Sequence, residues 1–552
     1  MQQKSSLKMI FKIHSKDLRK ANWNFTRSLE DALKDYPESI VSIGDSQILR
    51  FIDELNGIVG ADEKINQIKR KIKIQKTKPK TRQTKESISQ LYRELYALQF
   101  KEDYLCVVMD RNSDYDRLNK GFTFNGISFR RFLGTNGGIK NSTIVYVNEK
   151  LYPELKRRLD NGRNMERELV PAKLEAYQAL ICSGSTPIPQ PDGIIVVDDC
   201  ITHFKDEIIM INDEAEGEPV MTTIKDYEVE HNDSDGYGLM LPEYSRLVNR
   251  YLTGDGEHTI AGMNTRYAWT KGMVYTFDFV EFGRKVAKTY EIVDAWGMKR
   301  DVRKAQVILT VSMLKLWDSY KSWEDYYQNC IDNHYEFSTT KTTPDKLENT
   351  RNTNYQFLQS YDFSDEELNQ LCQPTIDEIN GVLGNDYRKS LVFLGGFGLN
   401  ERTIANLEND YVKALMIDKR LIDDPFVRHN IHSMIKKRIE LAKKGSIKVD
   451  ANYCMISGDP FALAQSMFGL EITGILKAGE VYHKYWIDKG ASEIACFRAP
   501  MTCHNNIRKL KLNKSEEAAY WYQYMDTVEI LNAWDTSCDA MNGADKDKSL
   551  SL

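Results

Sequence analysis

At 552 residues the chain is long enough for three or four ordinary domains, and 41% hydrophobic against 28% charged residues exclude an intrinsically disordered polypeptide. Its longest apolar stretches, such as residues 193–197 and 391–394, are far too short to span a bilayer, and Met1-Gln2-Gln3-Lys4 does not lead into a signal peptide, so the reading is an intracellular protein. The net charge of −5 excludes a uniformly basic surface while leaving room for a local basic track, and nine scattered cysteines without a C-x-x-C pair argue against a zinc ribbon or disulfide framework.

The first hundred residues are predicted to be largely helical. Leu33, Tyr36, Ile40, Ile43, Ile48, Phe51 and Leu55 recur at roughly helical spacing, with Pro37 and Gly44 breaking the run. A basic run then carries Lys69, Arg70, Lys71, Lys73, Lys76, Lys78, Lys80 and Arg82, with no acid between Lys64 and Lys85. It reads either as a solvated helix face or as a contact for phosphate backbones, which gains affinity by releasing counterions.

From Tyr104 to Val147 short strands take over. Leu105-Cys106-Val107-Val108-Met109 reads as one strand, and Phe124-Asn125-Gly126-Ile127 carries an Asn-Gly hairpin signal. A tight turn over 134–138 precedes a strand over 142–147. The acidic stretch from Asp198 to Glu218 reads as a solvated edge. Strands mixed with turns occupy 237–317, clearest at 273–279 and 305–309. Helical patterns return over 322–444, where Gly445 stops the last helix, and a second strand-rich block begins at Ile447.

Near the C-terminus, Asn542-Gly543-Ala544-Asp545-Lys546-Asp547 puts two carboxylates two residues apart. A tight loop turns both onto one cation, and Mg²⁺ takes oxygen ligands. Upstream lies Cys496-Phe497-Arg498-Ala499-Pro500-Met501-Thr502-Cys503-His504. Together these resemble the β′ subunit of cellular RNA polymerases, where an N-R-x-P-x-L-H stretch precedes the loop N-A-D-F-D-G-D. They also resemble the eukaryotic-type RNA-dependent RNA polymerases of RNA silencing, whose loop reads D-x-D-G-D. Gly474-Ile475-Leu476-Lys477-Ala478-Gly479-Glu480-Val481, after Gly458-Asp459-Pro460, matches that group's G-x-L-x-x-G-x-V segment. Earlier, Asp235-Gly236-Tyr237-Gly238 resembles its D-G-x-G element and Arg266-Tyr267-Ala268-Trp269-Thr270-Lys271-Gly272 its R-Y-x-x-x-K-G element. Val311-Ser312-Met313-Leu314-Lys315-Leu316 and Arg351-Asn352-Thr353-Asn354-Tyr355-Gln356 resemble its S-M-x-K-F and R-x-x-N-x-Q elements.

The resemblance implies an α+β fold with two double-psi β-barrels in one chain, joined by a helical connector and preceded by a helical N-terminal region. The corresponding division is a helical region over 1–100, an α+β support region over 101–230, a first barrel over 231–320, a connector over 321–446 and a second barrel over 447–552. It implies a nucleotidyltransferase that adds NTPs to an RNA 3′ end on an RNA or DNA template. Asp545 and Asp547 would hold Mg²⁺; Lys271, Lys315 and Arg266 would neutralise the triphosphate; Arg498 and Asn542 would lie beside the incoming ribose. Lys69, Arg70, Lys71 and Lys73 are the candidate nucleic-acid contacts. Single-chain relatives of this type occur in bacteriophages, which implies the cytoplasm of a bacterial host.

The family's Gly-Asp after the second aspartate is replaced here by Lys548-Ser549. The expectation is a truncated metal loop and an incomplete second barrel with exposed strand edges. Lys548 would repel a nearby divalent ion; two unit charges 4 Å apart interact by roughly 4 kcal/mol at an effective dielectric of 20. The chain alone is therefore expected to polymerise poorly or not at all. The alternatives are a catalytically dead nucleic-acid-binding remnant, or one half of a split enzyme completed by a separate chain.

Overall fold

The computed structural model describes residues 7–58, 60–79, 81–212, 220–384, 386–395, 410–544, 546 and 549–551. The N-terminal part is built on a mixed seven-stranded sheet. Its order is Asn24–Phe25, Phe122–Phe124, Ile127–Leu133, Thr143–Asn148, Phe100–Val108, Lys8–His14 and Ile40–Ile43. The Asn-Gly signal forms the expected hairpin: Asn125 and Gly126 have φ of 49° and 78°, the left-handed pair that a two-residue turn needs between right-twisted strands. Phe11 fixes this layer edge-on against Phe100 and Phe124, with ring centroids 4.9 and 4.8 Å away.

The N-terminal region departs from the expected helical one in three strands, Lys8–His14, Asn24–Phe25 and Ile40–Ile43, the last of which takes Ile40 and Ile43 out of the expected helical run. Helices do cover much of it, but the Lys8–His14 strand runs parallel to Phe100–Val108, one strand in from the Ile40–Ile43 edge of the sheet. A boundary at residue 100 therefore falls inside a continuous sheet. Two helices, Ala61–Lys76 and Arg82–Gln99, form a hairpin whose shared core is Ile65, Ile68, Ile72 and Leu95.

A second seven-stranded sheet follows, in the order Thr186–Pro187, Ser338–Thr342, Gly262–Tyr267, Thr270–Thr276, Tyr237–Met240, Val307–Thr310 and Ile194–Val197. A long two-stranded hairpin, Ile201–Asn212 paired with Val220–Asn232, carries Asp206 and Glu207 of the acidic stretch, of which Glu207 is exposed; Asp213, Glu214, Glu216 and Glu218 lie outside the described residues. Helices including Asp365–Leu383 and Pro425–Ala442 pack on Val382, Val412, Ile431 and Ile435. Gly445, at φ 83°, ends the last of them where the sequence places the stop.

The C-terminal part is a closed barrel of six strands: Tyr453–Ser457, Val528–Leu531, Glu480–Tyr482, Ile507–Leu512, Glu493–Phe497 and Ser549–Ser551. The exposed edge expected here is absent among the described residues. Ser549–Ser551 pairs with Tyr453–Met455 on one side and meets Phe497 on the other, so three residues suffice to close the ring. No helix among the described residues is long and apolar enough to cross a membrane.

The second sheet and the barrel share one hydrophobic core. Phe282 packs edge-on against Phe461 at 5.0 Å and Trp521 at 5.6 Å, while Phe277 stacks on Trp521 at 5.7 Å. Burying these rings fixes the rim of one unit against the rim of the other.

Candidate active site

Three turns of the second sheet meet at one rim. The Lys271 backbone N–H donates to the Met313 carbonyl at 3.1 Å, and the Lys315 N–H donates to the Trp269 carbonyl at 3.0 Å. The Gly236 N–H donates to the Ser312 hydroxyl at 2.9 Å. The approach is too close for a side chain at Gly272, where a Cβ would lie 2.4 Å from the Gly236 carbonyl oxygen. Lys271 and Lys315 thus stand on adjoining backbone, and Arg266 lies directly across the strand pair from Lys271.

The barrel presents the loop expected to carry the metal. The Ala544 N–H donates to the Cys538 carbonyl at 3.0 Å, and the Cys538 thiol donates back to the Ala544 carbonyl at 2.8 Å. Arg498 donates to the Asn542 carbonyl at 2.8 Å and lies 3.4 Å from that of Gly543. The Asn542 side-chain amide donates to the Pro500 carbonyl at 3.2 Å. Arg498 and Asn542 are therefore brought together, and both hold the loop's entry. Asp545 and Asp547 lie outside the described residues. Among the described residues, no group of three or more His, Cys, Asp or Glu side chains is arranged to hold a metal ion.

Lys546 stands between those two aspartates and is 1% exposed. Its ammonium lies 3.4 Å from Oδ1 of the fully buried Asp233, which immediately precedes the Ser234-Asp235-Gly236 turn of the second sheet. The Tyr275 hydroxyl, also from that sheet, shares its single proton between the Ile456 carbonyl at 2.5 Å and the Lys546 carbonyl at 3.2 Å. The turn is gripped on its other side by Ser312, whose hydroxyl donates to Asp199 at 2.8 Å. One four-residue turn thus touches the lysine rim and the loop around Lys546 at once.

Asp459 completes the junction. Its backbone N–H donates to Asp233 Oδ2 at 2.8 Å, and its carboxylate accepts from the Phe461 N–H at 2.9 Å, the Ile475 N–H at 2.9 Å and the Tyr522 hydroxyl at 2.7 Å. Gly458 permits this approach, since a Cβ there would lie 2.1 Å from the Asp233 carbonyl oxygen. Burial, reinforced by the charge of Asp233, pushes the Asp459 carboxyl up to about 6. Burial acts on Asp233 the same way, but Lys546 and His231 outweigh it and hold Asp233 below the usual carboxylate range. Burial disfavours the Lys546 ammonium, yet Cys538 and Asp233 overcome this and raise its affinity for the proton. His231 bridges outward from the pair, 3.8 Å from Asp233 and 3.4 Å from Asp539.

Asp233, Tyr275 and Lys546 are not singled out by the sequence. Two signals point to them: Asp233 abuts the D-G-x-G element, and Lys546 occupies the place of the Phe in the β′ loop. The basic residues Lys69, Arg70, Lys71 and Lys73 lie on the exposed side of Ala61–Lys76. No described hydrogen bond or ion pair joins them to the lysine rim. Arg70 also lines a cavity of about 970 Å³ beside Arg50, Glu54 and His334.

Residues 72–522 match the family model described as RNA dependent RNA polymerase. The chain belongs to this family. It is 28% identical over 424 residues to the DNA-directed RNA polymerase YonO of Bacillus phage SPbeta, an alignment covering 74% of this chain and 46% of the phage protein. Its fold is similar to that of the RNA dependent RNA polymerase QDE-1 from Thielavia terrestris, with a TM-score of 0.50 at 14% identity, covering 81% of this chain and 48% of that one. The chain spans about half the length of these relatives.

Proposed function

We propose that this chain carries the catalytic core of a template-directed RNA polymerase, in which the second sheet and the closed barrel are two double-psi β-barrels facing one another. The division at residues 231, 321 and 447 belongs to the same reading. The observation that carries it is the Asp233–Gly236 turn, which ties the Lys271–Lys315 rim to the loop around Lys546. Basic groups for a triphosphate then face a carboxylate loop for a cation, the pairing that phosphoryl transfer requires.

In this reading Asp545 and Asp547 hold Mg²⁺, whose carboxylate donors suit a hard ion. When bound, the ion neutralises charge at the α-phosphate and lowers the pKa of an attacking 3′-hydroxyl. Lys271, Lys315 and Arg266 bind the β- and γ-phosphates and orient the leaving pyrophosphate. Arg498 and Asn542 shape the floor under the incoming ribose by fixing the loop's backbone. Lys69, Arg70, Lys71 and Lys73 hold the nucleic-acid backbone. The template is RNA or DNA, since the relatives' names give both.

Equilibrium binding of an NTP and of the matching NMP tests the rim assignment. The wild-type chain should bind the triphosphate at least about tenfold more tightly, a difference of about 1.4 kcal/mol, and K271A should reduce that preference. Equal affinity for NTP and NMP in the folded wild-type chain would contradict the assignment.

A further inference from the structure

The residue between the two proposed metal ligands is held from outside its own barrel. Lys546 belongs to the C-terminal loop, yet its ammonium meets Asp233, in the turn leading into the second sheet, and its carbonyl accepts the Tyr275 hydroxyl from that sheet. Two positions earlier, Ala544 is locked to Cys538 within the barrel by two hydrogen bonds. The backbone is therefore fixed on both sides of position 545, by one unit on one side and by the other unit on the other.

A lysine beside a cation site is unfavourable on charge alone, because it repels the ion. Burying it adds a desolvation cost that only a close partner offsets. Asp233 is that partner, and it is itself buried, bonded to the Asp459 N–H and flanked by His231. The ammonium is thereby turned into the protein and its charge offset, which limits its repulsion of a cation at the loop.

We infer that Lys546 is a positioning residue: Asp233 and Tyr275 use it as a strut that sets the metal loop against the lysine rim. The inference rests on the polymerase reading for its function, although the strut itself is a property of the fold. It explains why one carboxylate of the second sheet is buried at the barrel junction at all.

Two measurements on the whole chain separate the strut from the metal reading. Hydrogen–deuterium exchange over 538–548 reports the strut directly. K546M should lose protection there, Y275F should lose part of it, and K546R, which keeps the ion pair, should retain it. Unchanged protection in K546M, with the melting temperature showing a folded protein, would overturn the strut.

Mn²⁺ binding, followed by the electron paramagnetic resonance of the free ion, reports the consequence. Charge alone predicts that K546M binds Mn²⁺ more tightly, because a neighbouring cation has been removed. The strut predicts the opposite sign, a loss of about 10–100-fold, the usual effect of removing a group that orients a metal ligand. K546R should stay near wild type. Tighter binding in K546M would overturn the positioning role. If the wild-type chain binds no Mn²⁺ while K546M still loses exchange protection, the strut stands and the metal reading of Asp545 and Asp547 fails.

Discussion

Asp233 and Lys546 are 313 positions apart in sequence, and their charged groups are 3.4 Å apart in a site closed to solvent. Removing either partner alone leaves an uncompensated buried charge, which costs about 3–5 kcal/mol. The pair therefore makes the geometry of the proposed site depend on the two units docking correctly.

That docking rests on aromatic packing. Phe282 is fully buried and touches Phe461, Phe468 and Trp521 of the barrel. F282A should cost about 3–5 kcal/mol in urea unfolding, because the cavity opens where the units meet. A loss below about 1 kcal/mol would show that the two units hold together by other means.

Glu529 gives the barrel a pH-dependent stability. It lies inside the barrel, fully buried, accepting from the Cys496 thiol at 2.8 Å. Burial pushes its carboxyl from 4.5 up to about 8, against the opposing pull of Cys496 and Cys454. The folded state holds this proton more tightly than the unfolded chain does. Its contribution is therefore fully present below about pH 4.5 and is lost as pH rises through about 8. E529Q keeps a neutral group of the same shape, so its melting temperature should fall less than that of the wild type between pH 6 and pH 9. Parallel pH profiles for the two proteins would refute the buried, protonated carboxyl.

The basic helix predicts a salt effect. Lys69, Lys71 and Lys73 are exposed while Ile65, Ile68 and Ile72 are buried, so the charges point away from the core. Replacing the three lysines by glutamine should leave the melting temperature unchanged and flatten the dependence of nucleic-acid affinity on salt. The slope should fall by about 0.7–0.9 for each phosphate that is no longer neutralised. An unaltered slope would leave the helix as a solvated face.

Local signals were legible in the sequence where a residue's own conformation dictates the structure. Asn125-Gly126 announces a hairpin because both positions take positive φ, and Gly445 marks a helix end for the same reason. The pattern around Lys271 and Lys315 identified two segments that the backbone does place side by side. Non-local pairings were not legible. The Lys8–His14 strand finds its parallel partner at Phe100–Val108, beyond several intervening helices, and seven residues of KMIFKIH carry no mark of that partner. Closure of the barrel by Ser549–Ser551 was likewise invisible, because three alternating residues are too few to read as a strand. The role of Lys546 depends on a carboxylate in another unit, so no local pattern encodes it.

In the proposed polymerase the lysine rim and the barrel loop form one nucleotidyl-transfer site. The most direct test of this is incorporation of labelled NTPs by the whole chain, on RNA and on DNA templates, with Mg²⁺ and with EDTA. Incorporation should be weak, should require a template and Mg²⁺, and should disappear in K271A. Incorporation that persists in K271A or in EDTA, or a folded wild-type chain that incorporates nothing on either template, would contradict it.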